Sequence, residues 1–373
     1  MTKKGDIQQY RKIIFLKMII NFKVFSKFKS LLLRWNKEKN RRQMPWKGEK
    51  DPYKIWLSEI ILQQTRVEQG MSYYQKFVQQ FPIIQQLAKA SDKKVFKLWE
   101  GLGYYSRCKN LLETARFISK NKKGVFPNTY EEILQLKGVG TYTAAAIASF
   151  AYNLPHAVLD GNVFRVLARV FGIDKAIDST EGKKYFNQIA QELLDKKNPG
   201  NYNQALMDFG AIVCRPIAPL CFDCPFQKHC KAYINNAVSE LPNKGKKLKI
   251  KTRWFYFLVL EYKNKFYIRQ RVEKDIWRNL FEFNLIETAK ENSTAQIINT
   301  AKRNAIIEKG FYDIELVSPK QHQQLSHQKI YGRFIKIKLL KPLLTKEMIL
   351  VSKKQLTQYA FPKFINDYLK QLQ

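Results

Sequence analysis

Acidic residues are few in this chain of 373 residues, which has 31 Asp and Glu against 66 Lys and Arg. The formal net charge of +35 attracts polyanions, and nucleic acid is therefore the leading class of partner. A general lysine bias of the source proteome would account for part of this excess. Charge alone therefore predicts nucleic-acid binding and no particular reaction.

Long apolar runs are also missing. Lysines interrupt the most apolar segment, residues 13–33, and no run approaches the roughly 20 apolar residues of a membrane span. The sequence also lacks an apolar stretch followed by a small-residue cleavage site. We therefore expect no membrane association, a cytoplasmic (nucleoid-associated) location, and a basic N-terminal tail over residues 1–22.

Cysteine is scarce, but its spacing is informative. Four of the five cysteines follow a C-x6-C-x2-C-x5-C spacing within 17 residues: Cys214, Cys221, Cys224 and Cys230. In an intracellular chain, thiols this close together indicate a metal centre rather than disulfides. Zinc is the usual occupant of a generic four-cysteine site, and an iron–sulfur cluster is the alternative. Cys108 lies far away in the sequence, and we expect it to be a core thiol.

Residues 136–165 contain a Gly-Val-Gly turn at positions 138–140, between two helical patterns, Tyr130–Leu136 and the alanine-rich Thr141–Tyr152. The glycines allow a tight turn, and the free amides that open the second helix attract an anion such as a DNA phosphate. Most such turns, taken alone, are purely structural. Here a carboxylate, Asp160, follows Gly140 by twenty residues in the loop LDGN.

A second informative stretch begins at Pro52, after which apolar spacing predicts a helix over Tyr53–Gln63. Glu59 lies among the core positions of this helix, close to Ile55 and Ile60. Burial would make its ionisation costly, raise its pKa and suit it to general-acid catalysis. A solvated glutamate on the helix surface is the alternative.

The pattern changes twice along the chain. Residues 236–252 lose their apolar periodicity and are rich in lysine, which predicts a basic linker. From residue 253 the period is that of strands, with a hairpin of Trp254–Tyr262 and Lys265–Arg271, and further elements near Phe281–Ile286, Thr294–Lys309 (a helix), Ile314–Val317 and Arg333–Leu340. These elements predict a separate α+β domain over residues 253–373.

The glycine-flanked turn GLGYY begins at Gly101, and we expect it to expose Leu102 and Tyr104. Exposed apolar and aromatic side chains of a basic protein can be inserted into a base stack, although unstacking costs a few kcal/mol. Packing of these side chains in the core is the alternative.

From about Phe25 onward, the sequence resembles the MutY family of adenine DNA glycosylases, within the endonuclease III superfamily. The matching motifs are PWKGEKDPYKIWLSEIILQQT, GLGYY, the GVG turn, LDGNVFRV, NQALMDFGAIVC and the cysteine loop. The last part resembles that family's Nudix-like domain in the hairpin, in DIWRNLFEF and in the Leu325-Ser326-His327 turn.

The resemblance implies a multidomain protein. An all-α helix-hairpin-helix glycosylase core over residues 23–235 would carry a [4Fe-4S] cluster in the loop 214–230. The linker would be residues 236–252, and the α+β Nudix-like domain, residues 253–373, would recognise the lesion. The implied substrate is double-stranded DNA in which adenine is mispaired with 8-oxoguanine (or guanine), and we expect a monomer.

Residue roles are implied by the same resemblance. Glu59 would be the acid at adenine N7 and Asp160 the stabiliser of the sugar cation, with Asn162 and Tyr142 holding them. The implied pocket for the extruded adenine is Arg42, Trp46, Lys47, Leu62, Gln204 and Met207. The implied contacts to the opposite base are Gln64, Thr65, Leu102, Tyr104, Ser326 and His327. The phosphate would lie on Gly138, Val139 and Gly140, and the four closely spaced cysteines would hold the cluster.

Several residues differ from the motifs of related families, and these differences reduce the number of candidate functions. An endonuclease III-type glycosylase/lyase has a lysine at the second position after the GVG turn, where this chain has Tyr142. A Nudix hydrolase needs the box G-x5-E-x7-R-E-x2-E-E, but Ser293–Gly310 offers only Glu308. Lys47, Lys137 and Leu325 stand where the family often has arginine, proline and phenylalanine. A bifunctional lyase and a non-catalytic DNA-binding iron–sulfur protein remain the alternatives.

Overall fold

The computed structural model of the protein describes residues 26–245 and 250–372. The expected basic tail lies outside the described residues, and so do residues 246–249 of the expected linker. The described chain forms two compact units. The first unit contains residues 26–67 and 117–245, and the second contains residues 68–116 and 250–372.

Helices dominate residues 26–245. The helix α1 is described over residues 26–38, and the later helices are α2 Pro52–Leu62, α3 Val67–Gln80, α4 Ile84–Lys89, α5 Asp92–Trp99, α6 Tyr105–Asn121, α7 Tyr130–Leu134, α8 Thr141–Tyr152, α9 Gly161–Phe171, α10 Thr180–Leu193, α11 Pro199–Ile212 and α12 Lys231–Ile234. The helices predicted over Tyr53–Gln63 and Thr141–Tyr152 are confirmed as α2 and α8. Within the described residues, no helix is long and apolar enough to cross a membrane.

Capping residues explain where α2 begins, and its apolar sequence explains its burial. The Asp51 carboxylate accepts a hydrogen bond of 2.9 Å from the Tyr53 backbone N–H, and Pro52 occupies the first turn, where its missing N–H is not needed. Residues 55–61 are all buried, so this helix is enclosed on every face and packs against α8. A polar side chain within residues 55–61 is therefore placed in the interior.

The main hydrophobic core of the first unit combines side chains of α1, α9, α10 and α11. Phe28 stacks on Phe226 with ring centroids 4.7 Å apart, and Trp35 meets Phe209 edge-on at 5.0 Å. Because Phe226 lies between Cys224 and Cys230, this core also supports the cysteine loop. The start of α9 and the loop are therefore anchored in one packed region.

The second unit contains α3–α5, most of α6 and a mixed sheet. The strands are β1 Lys251–Tyr262, β2 Lys265–Gln270, β3 Phe281–Glu282, β4 Asn284–Thr288, β5 Tyr312–Val317, β6 Gln321–Gln324, β7 Gln328–Leu339 and β8 Ile349–Ser352. The sheet order is β3-β2-β1-β7-β5, with β1 parallel to β7, and β4, β6 and β8 pair with β1, β7 and β2. The hairpin predicted across Lys263-Asn264 is confirmed.

Helices α13 Thr294–Arg303, α14 Lys353–Leu356 and α15 Lys363–Leu369 accompany the sheet. The prediction that the first of them extends to Lys309 was wrong. It ends at Arg303, and two residues later Ala305 has a φ of +53°, a left-handed conformation that cannot continue a right-handed helix. Cys108 is fully buried in α6, as expected for a core thiol.

Candidate active site

A pocket of about 440 Å³ lies in the first unit, between α2, the loop before it and the starts of α8, α9 and α11. Eleven of the residues that the resemblance implied line this pocket: Arg42, Trp46, Lys47, Glu59, Leu62, Thr65, Tyr142, Asp160, Asn162, Gln204 and Met207. Other lining side chains were not expected from the sequence, among them Ser58, Phe150, Asn198 and Asn201. The candidate catalytic and base-binding residues thus share one cavity.

Glu59 lies on α2 with 5% of its surface exposed, so its expected burial is confirmed. Burial raises the pKa of its carboxyl to about 7. The hydrogen bond with the Tyr142 hydroxyl partly opposes this rise, and the nearby Asp160 carboxylate adds to it. Glu59 therefore holds a proton at pH values where an exposed glutamate would have lost it.

Asp160 is the N-cap of α9. Its carboxylate accepts hydrogen bonds of 2.7 Å from the Val163 backbone N–H and of 2.7 Å from Asn162 Nδ2. Burial raises the pKa of this carboxyl, and the two hydrogen bonds oppose the rise. The helix start therefore fixes the orientation of this carboxylate toward the pocket.

Asn162 is itself held in place. Its Oδ1 accepts a 2.8 Å hydrogen bond from Arg165, whose guanidinium also donates to the carbonyls of Gly210 and Cys214 at 2.8 and 2.7 Å. Gly210 allows α11 to approach closely, because a Cβ there would lie 2.6 Å from the Cβ of Asn162. The packing of α9 on α11 thus positions the amide that contacts Asp160.

A buried carboxylate that was not expected from the sequence lies beside the pocket, in contact with three of its lining residues. Asp208 is fully buried and accepts hydrogen bonds from Arg42, Lys47, Gln204 and Asn40. The signal for it was an acidic residue four positions after Gln204 in the otherwise apolar end of NQALMDFGAIVC. Its partners could not be read from the sequence, because Asn40, Arg42 and Lys47 are more than 160 residues away.

The GVG turn lies between α7 and α8 in the first unit. Gly138 has a φ of +79°, which favours glycine, and Gly140 caps α8 without a side-chain hydrogen bond to the first amides. Gly138 and Gly140 are exposed, whereas Val139 is buried. Gln64, just after α2, is exposed and does not line the pocket.

Four further candidate residues belong to the second unit. The expectation that Leu102 is exposed was wrong: 5% of its surface is accessible, so it packs in the core. Tyr104 is 41% exposed, as expected, and its hydroxyl forms a short hydrogen bond with the Ser326 hydroxyl. Ser326 and His327 are exposed on the turn between β6 and β7.

Cys214, Cys221, Cys224 and Cys230 line one small cavity beside Arg169. Arg169 Nη1 donates to Cys214 Sγ at 3.6 Å, and Cys230 Sγ donates to the Arg169 carbonyl at 3.3 Å. Across the described ranges, no three His, Cys, Asp or Glu side chains converge closely enough for a single metal ion. Four thiols that line one cavity are a donor set that either a zinc ion or an iron–sulfur cluster can take.

Family models match both parts of the chain. Residues 57–196 match the HhH-GPD superfamily of base excision DNA repair proteins, and residues 255–371 match the NUDIX domain. An adenine DNA glycosylase of Buchnera aphidicola subsp. Baizongia pistaciae is 37% identical over 309 residues, covering 82% of this chain and 84% of that protein. The chain belongs to the adenine DNA glycosylase family. It is thus a base-excision-repair glycosylase, an enzyme that hydrolyses N-glycosyl bonds.

Other members and solved structures agree with this family and fold. The human adenine DNA glycosylase is 42% identical over 214 residues, which cover 55% of this chain and 39% of the human protein. The structure of a thermostable thymine-DNA glycosylase matches 58% of this chain and 99% of its own, with a TM-score of 0.53 and 31% identity. The expected fold class, a helical glycosylase core followed by a Nudix-like α+β part, is confirmed.

Proposed function

We propose that the enzyme hydrolyses the glycosidic bond of adenine mispaired with 8-oxoguanine (or guanine) in double-stranded DNA, without cutting the strand. The observation that supports it most is the shared pocket of Glu59, Asp160 and Tyr142, in which the two carboxyl groups have different surroundings. The adenine must leave the base stack to reach this pocket.

Glu59 is the general acid in this proposal. Adenine leaves poorly as an anion, so its N7 must be protonated as the glycosidic bond breaks. A carboxyl group with a pKa of about 7 is suited to that step, because it is still protonated in part at neutral pH and can release its proton. The carboxylate that results can then activate the attacking water.

Asp160 stabilises the positive charge that develops on the deoxyribose. Its hydrogen bonds to Val163 and Asn162 keep the carboxylate oriented, so little reorganisation is needed when the charge appears. Glycoside hydrolases likewise use one carboxylic acid to protonate the leaving group and a second, charged carboxylate at the sugar. Tyr142, where a lyase would need a lysine amine, supports the monofunctional reaction.

Contacts to the DNA complete the proposal. Arg42, Trp46, Lys47, Leu62, Gln204 and Met207 hold the extruded adenine, and the backbone amides of Gly138, Val139 and Gly140 bind a phosphate. The residues proposed to face the opposite base are Gln64, Thr65, Leu102, Tyr104, Ser326 and His327. Among these, the exposed Tyr104 and Ser326 are accessible as they stand, whereas Leu102 would have to leave its packed position.

The four cysteines are proposed to hold a [4Fe-4S] cluster. With all four thiolates engaged, the cluster contributes structure rather than an open position for substrate. Residues 23–235 are proposed as the glycosylase domain, 236–252 as the linker and 253–373 as a lesion-reading domain without pyrophosphohydrolase activity. The proposed enzyme is a cytoplasmic, nucleoid-associated monomer.

A single-turnover assay tests the reaction. Duplexes with adenine opposite 8-oxoguanine, adenine opposite thymine, and thymine glycol opposite adenine are compared, and each sample is read with and without alkali. We expect alkali-dependent cleavage at the adenine of the 8-oxoguanine pair. Alkali-independent nicking at thymine glycol would establish the lyase instead, and binding without any cleavage would establish a non-catalytic DNA-binding protein.

A further inference from the structure

Asp208 is a fully buried carboxylate on α11 with four side-chain donors. Its Oδ1 accepts hydrogen bonds from Arg42 Nη1 at 2.9 Å and from Gln204 Nε2 at 3.0 Å. Its Oδ2 accepts from Lys47 Nζ and from Asn40 Nδ2, both at 2.9 Å. Three of these partners, Arg42, Lys47 and Gln204, also line the pocket, whereas Asp208 itself does not. The carboxylate therefore lies directly behind the base-binding wall.

This arrangement decides which end of the Gln204 amide faces the pocket. An amide has a donor end and an acceptor end of nearly equal size, so both orientations are sterically possible. A carboxylate in ion pairs with Arg42 and Lys47 can only accept hydrogen bonds, and it therefore selects the NH₂ end of Gln204. Within the described residues, no group donates to the other end, Oε1, which is left for a ligand.

We propose that Asp208 is a specificity-determining positioning residue: by binding the NH₂ end of Gln204, it presents Oε1 as an acceptor for the exocyclic amine of the extruded base. The inference rests on the proposed function, in which Gln204 contacts the extruded adenine. An acceptor at this place pairs with the 6-amino group of adenine and opposes the 6-oxo group of hypoxanthine. A buried acceptor that faces another acceptor loses its hydrogen bond and its solvation. This loss makes hypoxanthine bind less well than adenine.

The second contact of Lys47 strengthens this assignment. Lys47 Nζ also donates to the Arg42 carbonyl at 2.8 Å, so the lysine connects Asp208 to the loop before α2. Two cations and two amides converge on one carboxylate from two chain segments, residues 40–47 and α11, and these contacts restrict its rotation. The orientation of Gln204 is therefore set before the base arrives.

The test compares the single-turnover excision of deoxyadenosine with that of deoxyinosine, each opposite 8-oxoguanine. In Asp208→Asn, the new side chain can either donate to or accept from Gln204, so both amide orientations become accessible. We expect the ratio of the adenine rate to the hypoxanthine rate to fall about tenfold relative to the wild type. An unchanged ratio in the folded variant would overturn the inference.

A double-mutant cycle separates this role from general support of the pocket. Gln204→Met removes the amide and should lower the same ratio by itself. If Asp208 acts through Gln204, adding Asp208→Asn to Gln204→Met lowers the ratio no further. Additive losses would mean that Asp208 acts by another route and would overturn the inference.

Asn40→Ala is the matched control, because Asn40 donates to the same carboxylate but does not itself line the pocket; its other contact there is the hydrogen bond that its Oδ1 accepts from the Arg42 backbone N–H. Its adenine to hypoxanthine ratio should equal that of the wild type. If the ratio falls as far as in Asp208→Asn, any disturbance of the carboxylate has the same effect. That result would contradict a specific role in orienting Gln204.

A measurement on the unsubstituted protein covers the case in which Asp208→Asn does not fold. The Gln204 side-chain amide can be observed by nitrogen-15 NMR and assigned by its loss in Gln204→Met. One of its two protons should exchange slowly with water, since it is bound to a buried carboxylate. Fast exchange of both protons would refute the inference. If the wild type does not excise adenine at all, the proposed function fails; if it does and the ratio is unmoved in Asp208→Asn, only this inference fails.

Discussion

Two buried glutamates, Glu59 in the first unit and Glu282 in the second, have opposite surroundings. In the first unit, Glu59 is buried and has no ion pair with any described residue, and burial raises its pKa to about 7. In the second unit, Glu282 is 1% exposed and lies 2.9 Å from Arg271 and 2.8 Å from Arg269. Asp275 is paired with Arg253 and Arg271 at 2.6 Å, and although its partial burial opposes this, the Arg253 guanidinium holds its pKa well below the usual range.

The difference shows what an arginine does to a buried acid. An arginine beside a buried carboxylate forms an ion pair with it, whereas Glu59, where burial prevails, has a pKa raised to about 7. The ion-pair network therefore serves stability, and the unpaired acid is available for chemistry. Burial alone would not have separated the two, because Glu59 and Glu282 are both almost inaccessible.

The largest expected effect tests this contrast by the same substitution in each unit. Glu59→Gln removes the proton donor but keeps the shape, and we expect single-turnover excision of adenine to fall by about 10²–10⁴-fold. Glu282→Gln should leave the rate per folded molecule unchanged. Binding to the uncleaved duplex serves as the control for Glu59→Gln and should be retained. Equal rates of Glu59→Gln and wild type would remove Glu59 from the chemistry.

Asp160→Asn should slow excision by about 10²–10³-fold, since a neutral amide stabilises the sugar cation poorly. The asparagine oxygen can still accept the hydrogen bond from the Val163 N–H and so keep the helix cap, although its NH₂ group then faces Asn162 Nδ2; the melting temperature should therefore fall less than in Asp160→Ala. Single-turnover rates and thermal denaturation of the same samples check both statements. A normal rate with a lowered melting temperature would assign Asp160 to the fold alone.

Glu282→Gln is expected to lower the free energy of unfolding by about 3 kcal/mol. The reason is that Arg271, 5% exposed, loses the charge of one of its two carboxylate partners in a buried setting. Urea denaturation of this variant and the wild type measures the change. A loss below about 0.5 kcal/mol would mean that the pair is as weak as an exposed one.

The stability of the wild type relative to Glu59→Gln should depend on pH. Because the folded pKa of Glu59 is raised from its ordinary 4.5 to about 7, the folded state binds the extra proton between these values. The contribution of Glu59 to the free energy of unfolding is therefore fully present below pH 4.5. About 3 kcal/mol of it is lost as the pH rises through 7. Denaturation at pH 5 and pH 8 should show this loss in the wild type and not in Glu59→Gln. Parallel curves would contradict the raised pKa.

The smallest expected effect is the change in the single-turnover excision rate with pH near 7. If protonated Glu59 is the acid, single-turnover excision should fall about tenfold for each pH unit above 7, as the proton is lost. A rate that stays constant to pH 9 would indicate that another group protonates the base.

Local patterns in the sequence predicted much of this structure. The apolar spacing around Glu59 was enough to expect a helix and a buried acid, and the strand period after residue 253 was enough for the β1–β2 hairpin. Leu102 shows a limit: a glycine-flanked turn indicates a loop, but it does not tell whether the side chain of that loop is buried. The Asp208 contacts were missed because they join residues 40–47 to α11, which are far apart in the sequence. The proposed roles of the site residues and the domain boundaries stay predictions.

Asp160 is the N-cap of helix α9, and its carboxylate is also proposed to stabilise the sugar cation. One side chain therefore contributes to both folding and catalysis. Replacing Asp160 by alanine would remove both the charge and the helix cap, and a lost cap alone costs about 1 kcal/mol of folding stability. In a cell, such a variant would be slower and also less abundant, since marginally folded proteins are degraded. Selection at this position therefore acts on protein quantity as well as on reaction rate, and asparagine is the replacement that separates the two.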